Sequence, residues 1–198
     1  MQFSVAVLAT LLASTSAFSP AFVTKSSPSA LHAKISETLS SIQGPEIFYG
    51  SEGPTMDPPH TEDEIKGYDN FGKLVAAAAA AGVDLDGGDY TILAPSDSAF
   101  EKHRIEVGTE ITADILKYHV IPGKISMDQL DTDQKTLNGG TLTAYRKFRK
   151  NWLDNAIIGL QSEGASKSAS WPADVQCDNG VIHGIDTVLV PGAFEGAR

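Results

Sequence analysis

Tyr90 to Leu93 is a short apolar run with β-branched members, set between the turn-forming Asp86-Gly87-Gly88-Asp89 and Pro95. That pattern predicts a buried strand ended by Pro95, which has no N–H to extend a sheet ladder. Ser96 and Asp97 then stand where a short helix would be capped, with Phe100 turned back to the core. Ile35, Leu39 and Ile42 recur at helical spacing and predict a short helix over Ile35 to Ile42. A second helix is expected from Phe71 through the Ala76–Ala81 tract, capped by Asp69 or Asn70, buried, and stopped by Gly82.

Further on, Glu101 to Gly108 is charged and reads as a short helix followed by a loop. Thr112 caps a helix on which Ile115, Leu116 and His119 share a face, with Pro122-Gly123 as its end. Ser126 to Gln129 has the form of a capping box. Asn138-Gly139-Gly140 predicts a hairpin over Thr136 to Tyr145, whose second strand, Thr141 to Tyr145, alternates polar and apolar residues. Ala156 to Leu160 reads as another strand, Gln161 to Ala173 as a polar loop, and Val181 to Val190 as a closing strand before Pro191.

Three of these segments also carry phrases of a known family. Leu93, Ala94, Pro95, Ser96, Ala99 and Phe100 match its first signature. Ile115 through Gly123 matches its helix-to-strand Tyr-His segment, and Asn179 through Pro191 its C-terminal signature. Over Asp69 to Pro191 the chain resembles the fasciclin (FAS1) family. The resemblance implies an α+β fold: a wedge-shaped β-sandwich of about seven strands flanked by several helices. It also implies adhesion or protein interaction rather than enzymatic chemistry. In extracellular members the Tyr-His region is associated with integrin-type adhesion, a role that would fall here on Tyr118 and His119.

Charge and cysteine content narrow the classes. The chain has 198 residues, 41% of them hydrophobic, and a formal net charge of -10. That acidity disfavours nucleic acid or an anionic membrane as partner, because both require positive charge to displace counterions. Cys177 is the only cysteine, so no intramolecular disulfide can form.

Residues 1–17 have the form of a signal peptide: Val5 to Leu12 is apolar but too short to span a membrane, and Thr15-Ser16-Ala17 suits cleavage. Residues 18–33 are rich in Ser and Ala and free of acids, the composition of a transit peptide. Together they resemble the bipartite presequence of algae with complex plastids, with Phe18 as the aromatic that follows the first cleavage site. The expected destination is the plastid, stroma or thylakoid surface; ordinary secretion to the cell surface is the alternative. Residues 34–68 are read as an N-terminal arm, 69–191 as the FAS1 domain and 192–198 as a tail.

Catalytic signatures are missing: the sequence has no G-x-S-x-G and no Cys–His pairing with a recognisable local pattern. His119 and His183 are read as core groups bonded to backbone carbonyls, and no metal or cofactor is expected. Candidate protein-contact residues are Tyr118 and His119, then Phe48 and Tyr49 in the arm. Arg146, Lys147, Arg149, Lys150 and Trp152 form a basic–aromatic cluster on an acidic chain, suited to an acidic protein. Trp171, in a polar loop, is a further candidate because exposed aromatics dominate interfaces. No membrane span is expected, and peripheral association with a membrane complex is compatible with all of this. No N-x-[ST] acceptor for glycosylation occurs.

Overall fold

The computed structural model describes residues 33–48, 66–147, 150–159 and 171–194. Its centre is the predicted strand, β3 (Tyr90–Pro95), paired in parallel with β11 (Gly180–Ile185) from Tyr90↔Gly180 to Pro95↔Ile185. Both strands are buried along almost their whole length, as expected of parallel strands covered on both faces. Gly180 is required at the start of that pairing, since a Cβ there would lie 2.0 Å from the Tyr90 carbonyl oxygen. The sheet is completed by β10 (Val175–Cys177) beside β11 and β4 (Val120–Pro122) beside β3, both antiparallel. A second sheet, wholly antiparallel, joins β7 (Ala144–Lys147), β8 (Lys150–Leu153) and β9 (Ala156–Ile157). Two-stranded pairs are formed by β1 (Glu46–Phe48) with β2 (Lys66–Tyr68), and by β5 (Gln134–Lys135) with β6 (Thr141–Leu142). The described residues thus hold eleven short strand segments in four sheets.

The helices are α1 (Ile35–Ser41), α2 (Gly72–Ala80), α3 (Asp97–Glu106) and α4 (Ala113–Tyr118). Two hydrophobic clusters result. One gathers Ile35, Leu39, Phe71, Leu74, Ile92, Leu116, Val120, Trp171 and Ile182; the other gathers Leu93, Tyr118, Ile121, Leu130, Leu142, Leu153, Ile158 and Leu189. The two faces of β3 feed them alternately, Ile92 into the first and Leu93 into the second.

Several local expectations are corrected. Neither Asp69 nor Asn70 caps α2: its N-cap is Phe71, and the Lys73 amide donates instead to Asp97 Oδ1 at 2.7 Å, on the next helix. Asp69 in turn accepts from the Ser98 amide in the first turn of α3 at 3.1 Å, so the caps of the two helices are exchanged through space. Ser96 caps α3 as its position predicts, taking the Ala99 amide at 3.2 Å. α3 continues to Glu106 in one piece, where a separate charged helix was expected. The alanine helix is buried on one face only, through Leu74 and Ala78, while Ala76, Ala79 and Ala80 are exposed. Gly82, at φ 66, ends it in a Schellman turn, with Val83 N–H donating to the Ala78 carbonyl. α4 stops at Tyr118 rather than at Pro122-Gly123, because Val120–Pro122 pairs with β3. The strand expected over Thr141 to Tyr145 breaks at Thr143 into β6 and β7. The strand expected from Ala156 covers only Ala156–Ile157 within the described residues.

The arm over residues 34–48 belongs to the body of the fold. Asn179 Oδ1 accepts from Ile35 N–H at 2.9 Å and Asp86 Oδ1 from Ser36 N–H at 3.2 Å, capping α1 from two loops of the domain. Ile35 and Leu39 are fully buried. The segment continues as β1 against β2.

Candidate functional site

Tyr118 and His119 sit where α4 gives way to β4, and both are buried, at 4% and 1% exposure. The Tyr118 hydroxyl lies 2.7 Å from Asp154 Oδ2 and 3.0 Å from the Thr141 carbonyl oxygen, so one proton serves two acceptors. Burial first, then the Asp154 carboxyl, pushes the phenol well above its usual range. Asp154 is itself buried in the turn between β8 and β9, at φ 48, a left-handed conformation that aspartate tolerates. Its Oδ1 accepts from the Thr143 amide at 2.8 Å, at the break between β6 and β7. Tyr118 and Asp154 therefore lock α4 to the second sheet.

His119 Nδ1 faces the Ile115 carbonyl oxygen at 2.8 Å, and Nε2 accepts from Leu189 N–H at 2.9 Å. A neutral ring protonated at Nδ1 satisfies both, and burial lowers its pKa to about 4. His183 on β11 takes the opposite tautomer: Nε2 faces the Ile125 carbonyl oxygen at 2.9 Å and Nδ1 accepts from Asp174 N–H at 3.2 Å. Its pKa is likewise lowered by burial. Each imidazole bridges two backbone segments as an internal strut, the role expected from sequence. Among the described residues no group of three or more His, Cys, Asp or Glu side chains is placed to hold a metal ion.

Trp171 overturns its premise. It is 4% exposed, packed edge-on against Phe71 with ring centroids 6.3 Å apart. Gly44 makes room for it, since a Cβ there would lie 2.7 Å from the indole ring. A polar neighbourhood in sequence was no guide, because the ring packs against Gly44 and Phe71, both remote in the chain. In the arm, Phe48 is placed by its backbone, opposite Lys66; Tyr49 lies outside the described residues.

The basic–aromatic cluster is an exposed hairpin. Arg146 and Lys147 close β7, Lys150 opens β8, and all three are exposed; Arg149, between them, lies outside the described residues. Tyr145 and Trp152 are cross-strand partners, their rings stacked at 5.8 Å and 13°. The residues expected to form a free tail add a third ring: Phe194 stacks on the other partner of the pair, Tyr145, at 5.7 Å and 13°. Trp152 Nε1 donates to the Lys147 carbonyl at 3.3 Å, bracing the tip. Beneath the hairpin lies a cleft of about 470 Å³ lined by Asp128, Asp131, Tyr145, Arg146 and Asn151. Asp128, Asp131, Asn151 and Phe194 carry no sequence motif, and only the fold gathers them.

The fold thus displays a basic–aromatic hairpin at its surface and uses its Tyr-His pair internally. Residues 66–191 match the Fasciclin domain family, and the chain belongs to that family. The cell surface glycolipoprotein MPB83 of Mycobacterium bovis is 33% identical over 115 residues, 55% of this chain and 47% of that protein. Protein sll1483 of Synechocystis is 33% identical over 139 residues, 63% of this chain and 69% of that one. The transforming growth factor-beta-induced protein ig-h3 of Sus scrofa is 32% identical over 146 residues, 66% of this chain and 19% of that protein. The chain spans about half the length of the mycobacterial relative and a smaller share of the porcine one. Among solved structures, a FAS1 domain pair from the insect cell adhesion molecule Fasciclin I aligns at 21% identity, with a TM-score of 0.41. The alignment covers 59% of this chain and 44% of that one. No described helix is long and apolar enough to cross a membrane.

Proposed function

We propose that this chain is a non-enzymatic adhesion-type FAS1 module, working at the cell surface or outside the cell, with the β7–β8 hairpin as its contact face. One observation carries the choice of face: the cross-strand partners Lys147 and Lys150 stand exposed beside the stacked Tyr145–Trp152 pair, with Arg146 exposed on the opposite side of the same hairpin, on a chain of net charge -10. Tyr118 and His119 are too deeply buried to meet a partner directly. An acidic protein surface is the partner this face fits, because it meets opposite charge around a rigid aromatic anchor. The cell-surface relative supports the location.

The composition of residues 18–33 favours a second reading, in which the same module docks to an assembly in a complex plastid. A fluorescent reporter fused to residues 1–40, compared with the same fusion carrying Phe18→Ala, separates the two. Reporter in the medium or at the surface in both fusions supports adhesion. Plastid fluorescence diverted by Phe18→Ala overturns it in favour of plastid docking. For the face itself, Lys150→Glu combined with Arg146→Glu should weaken capture of the chain by its adherent surface at least tenfold, without lowering the melting temperature.

A further inference from the structure

We infer that the cleft between the β7–β8 hairpin and the Met127–Gln129 turn is a carbohydrate site that takes a neutral pyranose. This inference rests on the hairpin being the working face and names the ligand class of the hollow beside it. The cleft, about 470 Å³, falls within the range of small-molecule sites. Its wall holds two carboxylates (Asp128, Asp131), a guanidinium (Arg146), a primary amide (Asn151) and the Tyr145 side chain. Carboxylates only accept hydrogen bonds and a guanidinium only donates them, while an amide does both. A ligand that answers all three must present donors and acceptors close together around a compact ring. Sugar hydroxyls do so, each donating one hydrogen bond and accepting others. Other classes fit less well. A phosphate or nucleic acid would face two carboxylates, and an apolar ligand would strip water from charged groups without replacing their hydrogen bonds.

Three of the five wall residues, Asp128, Asn151 and Tyr145, are also held in place before any ligand arrives. The Met127–Gln129 turn opens with Met127 N–H donating to Asp174 Oδ1 at 2.8 Å, and Gln129 Oε1 accepts from Ser126 N–H at 3.1 Å. Asp128 takes the Ser126 hydroxyl, and Asn151 Nδ2 donates to the Met127 carbonyl at 3.4 Å, which ties hairpin to turn. Tyr145 is fixed by its stacks on Trp152 and Phe194. A wall held this way loses little freedom on binding, which favours affinity from a small contact area.

The test applies the full-length chain to an array of neutral, uronic-acid and sulfated oligosaccharides, and titrates any ligand found while following tryptophan fluorescence. Asp131→Asn and Arg146→Gln remove cleft groups, and Lys150→Glu alters hairpin charge outside the cleft. All three sites are exposed, and near-ultraviolet circular dichroism checks that each variant is folded. Binding of a neutral pyranose ligand that falls at least tenfold in Asp131→Asn and in Arg146→Gln, and holds in Lys150→Glu, is the expected result. No array binding overturns the inference. So does binding confined to anionic glycans that Lys150→Glu abolishes and Asp131→Asn leaves intact or strengthens. Surface capture that persists without sugar binding removes the cleft and leaves the hairpin reading standing; sugar binding without capture does the reverse.

Discussion

At the scale of single residues, the chemistry of this protein is turned inward. Tyr118, His119, Asp154 and His183 are the polar groups a search for function would select, and each has its hydrogen-bonding atoms committed inside the fold. Tyr118→Phe removes the donor from Asp154 Oδ2 and should destabilise the protein by about 1–3 kcal/mol in urea unfolding, with surface capture unchanged. A loss of capture at unchanged stability would instead put Tyr118 in the interface. His119 gives a pH signature. Its folded pKa, lowered to about 4, lies below the ordinary value of 6.5 kept by the unfolded chain. Above pH 6.5 both states are neutral and the contribution is whole. Between pH 6.5 and 4 the unfolded chain takes a proton that the folded ring refuses, so stability falls as pH falls, by on the order of 3 kcal/mol. His183 acts in the same direction. In His119→Gln the loss of stability over that window should shrink; an unaltered slope would mean that other groups set it.

At the scale of elements, the N-terminal helix is the informative one. The family match begins at residue 66, yet α1 buries Ile35 and Leu39 against the first cluster, and Gly44 closes over Trp171. A fragment covering 66–191 should therefore fail to give the cooperative thermal transition of the whole chain. Leu39→Ala alone should cost about 2–5 kcal/mol, as large-to-small changes in packed cores do. A fragment that melts at the temperature of the full chain would show α1 to be an appendage. The exchanged caps of α2 and α3 make a related point: Asp69 and Asp97 each serve the other's helix, so the two N-termini should open together in hydrogen exchange.

At the scale of the whole molecule, Arg146, Lys147 and Lys150 make a small exposed basic patch on a chain of net charge -10. Fields around such a face steer encounter with an acidic partner and weaken with salt. Association rates with the partner surface should fall steeply between 50 and 200 mM salt, roughly the range over which the Debye length drops below 10 Å. In the Arg146→Glu, Lys150→Glu pair that salt dependence should flatten or reverse. A salt-independent rate would point to the aromatic rings alone as the contact.

The sequence by itself determined the family signatures, the central strand with its Pro95 stop and Ser96 cap, α1, the Thr112-capped helix and the basic–aromatic composition of residues 146–152. These depend on residues close together in the chain, where periodicity and turn chemistry act. Tertiary structure alone decided which aromatics are free. Trp171, in a stretch of small and polar residues, is buried because Gly44 leaves space for its ring and Gly184 for its Cβ. Phe194, in an apparent tail, is held by stacking on Tyr145. The cleft beneath the hairpin is of the same kind. Asp128, Asp131 and Asn151 are ordinary surface residues in sequence, and they share a wall only because the Met127–Gln129 turn packs under β7 and β8. Contacts between residues far apart in the chain leave no local pattern to read, since burial and hydrogen bonding depend on where the fold brings the chain together.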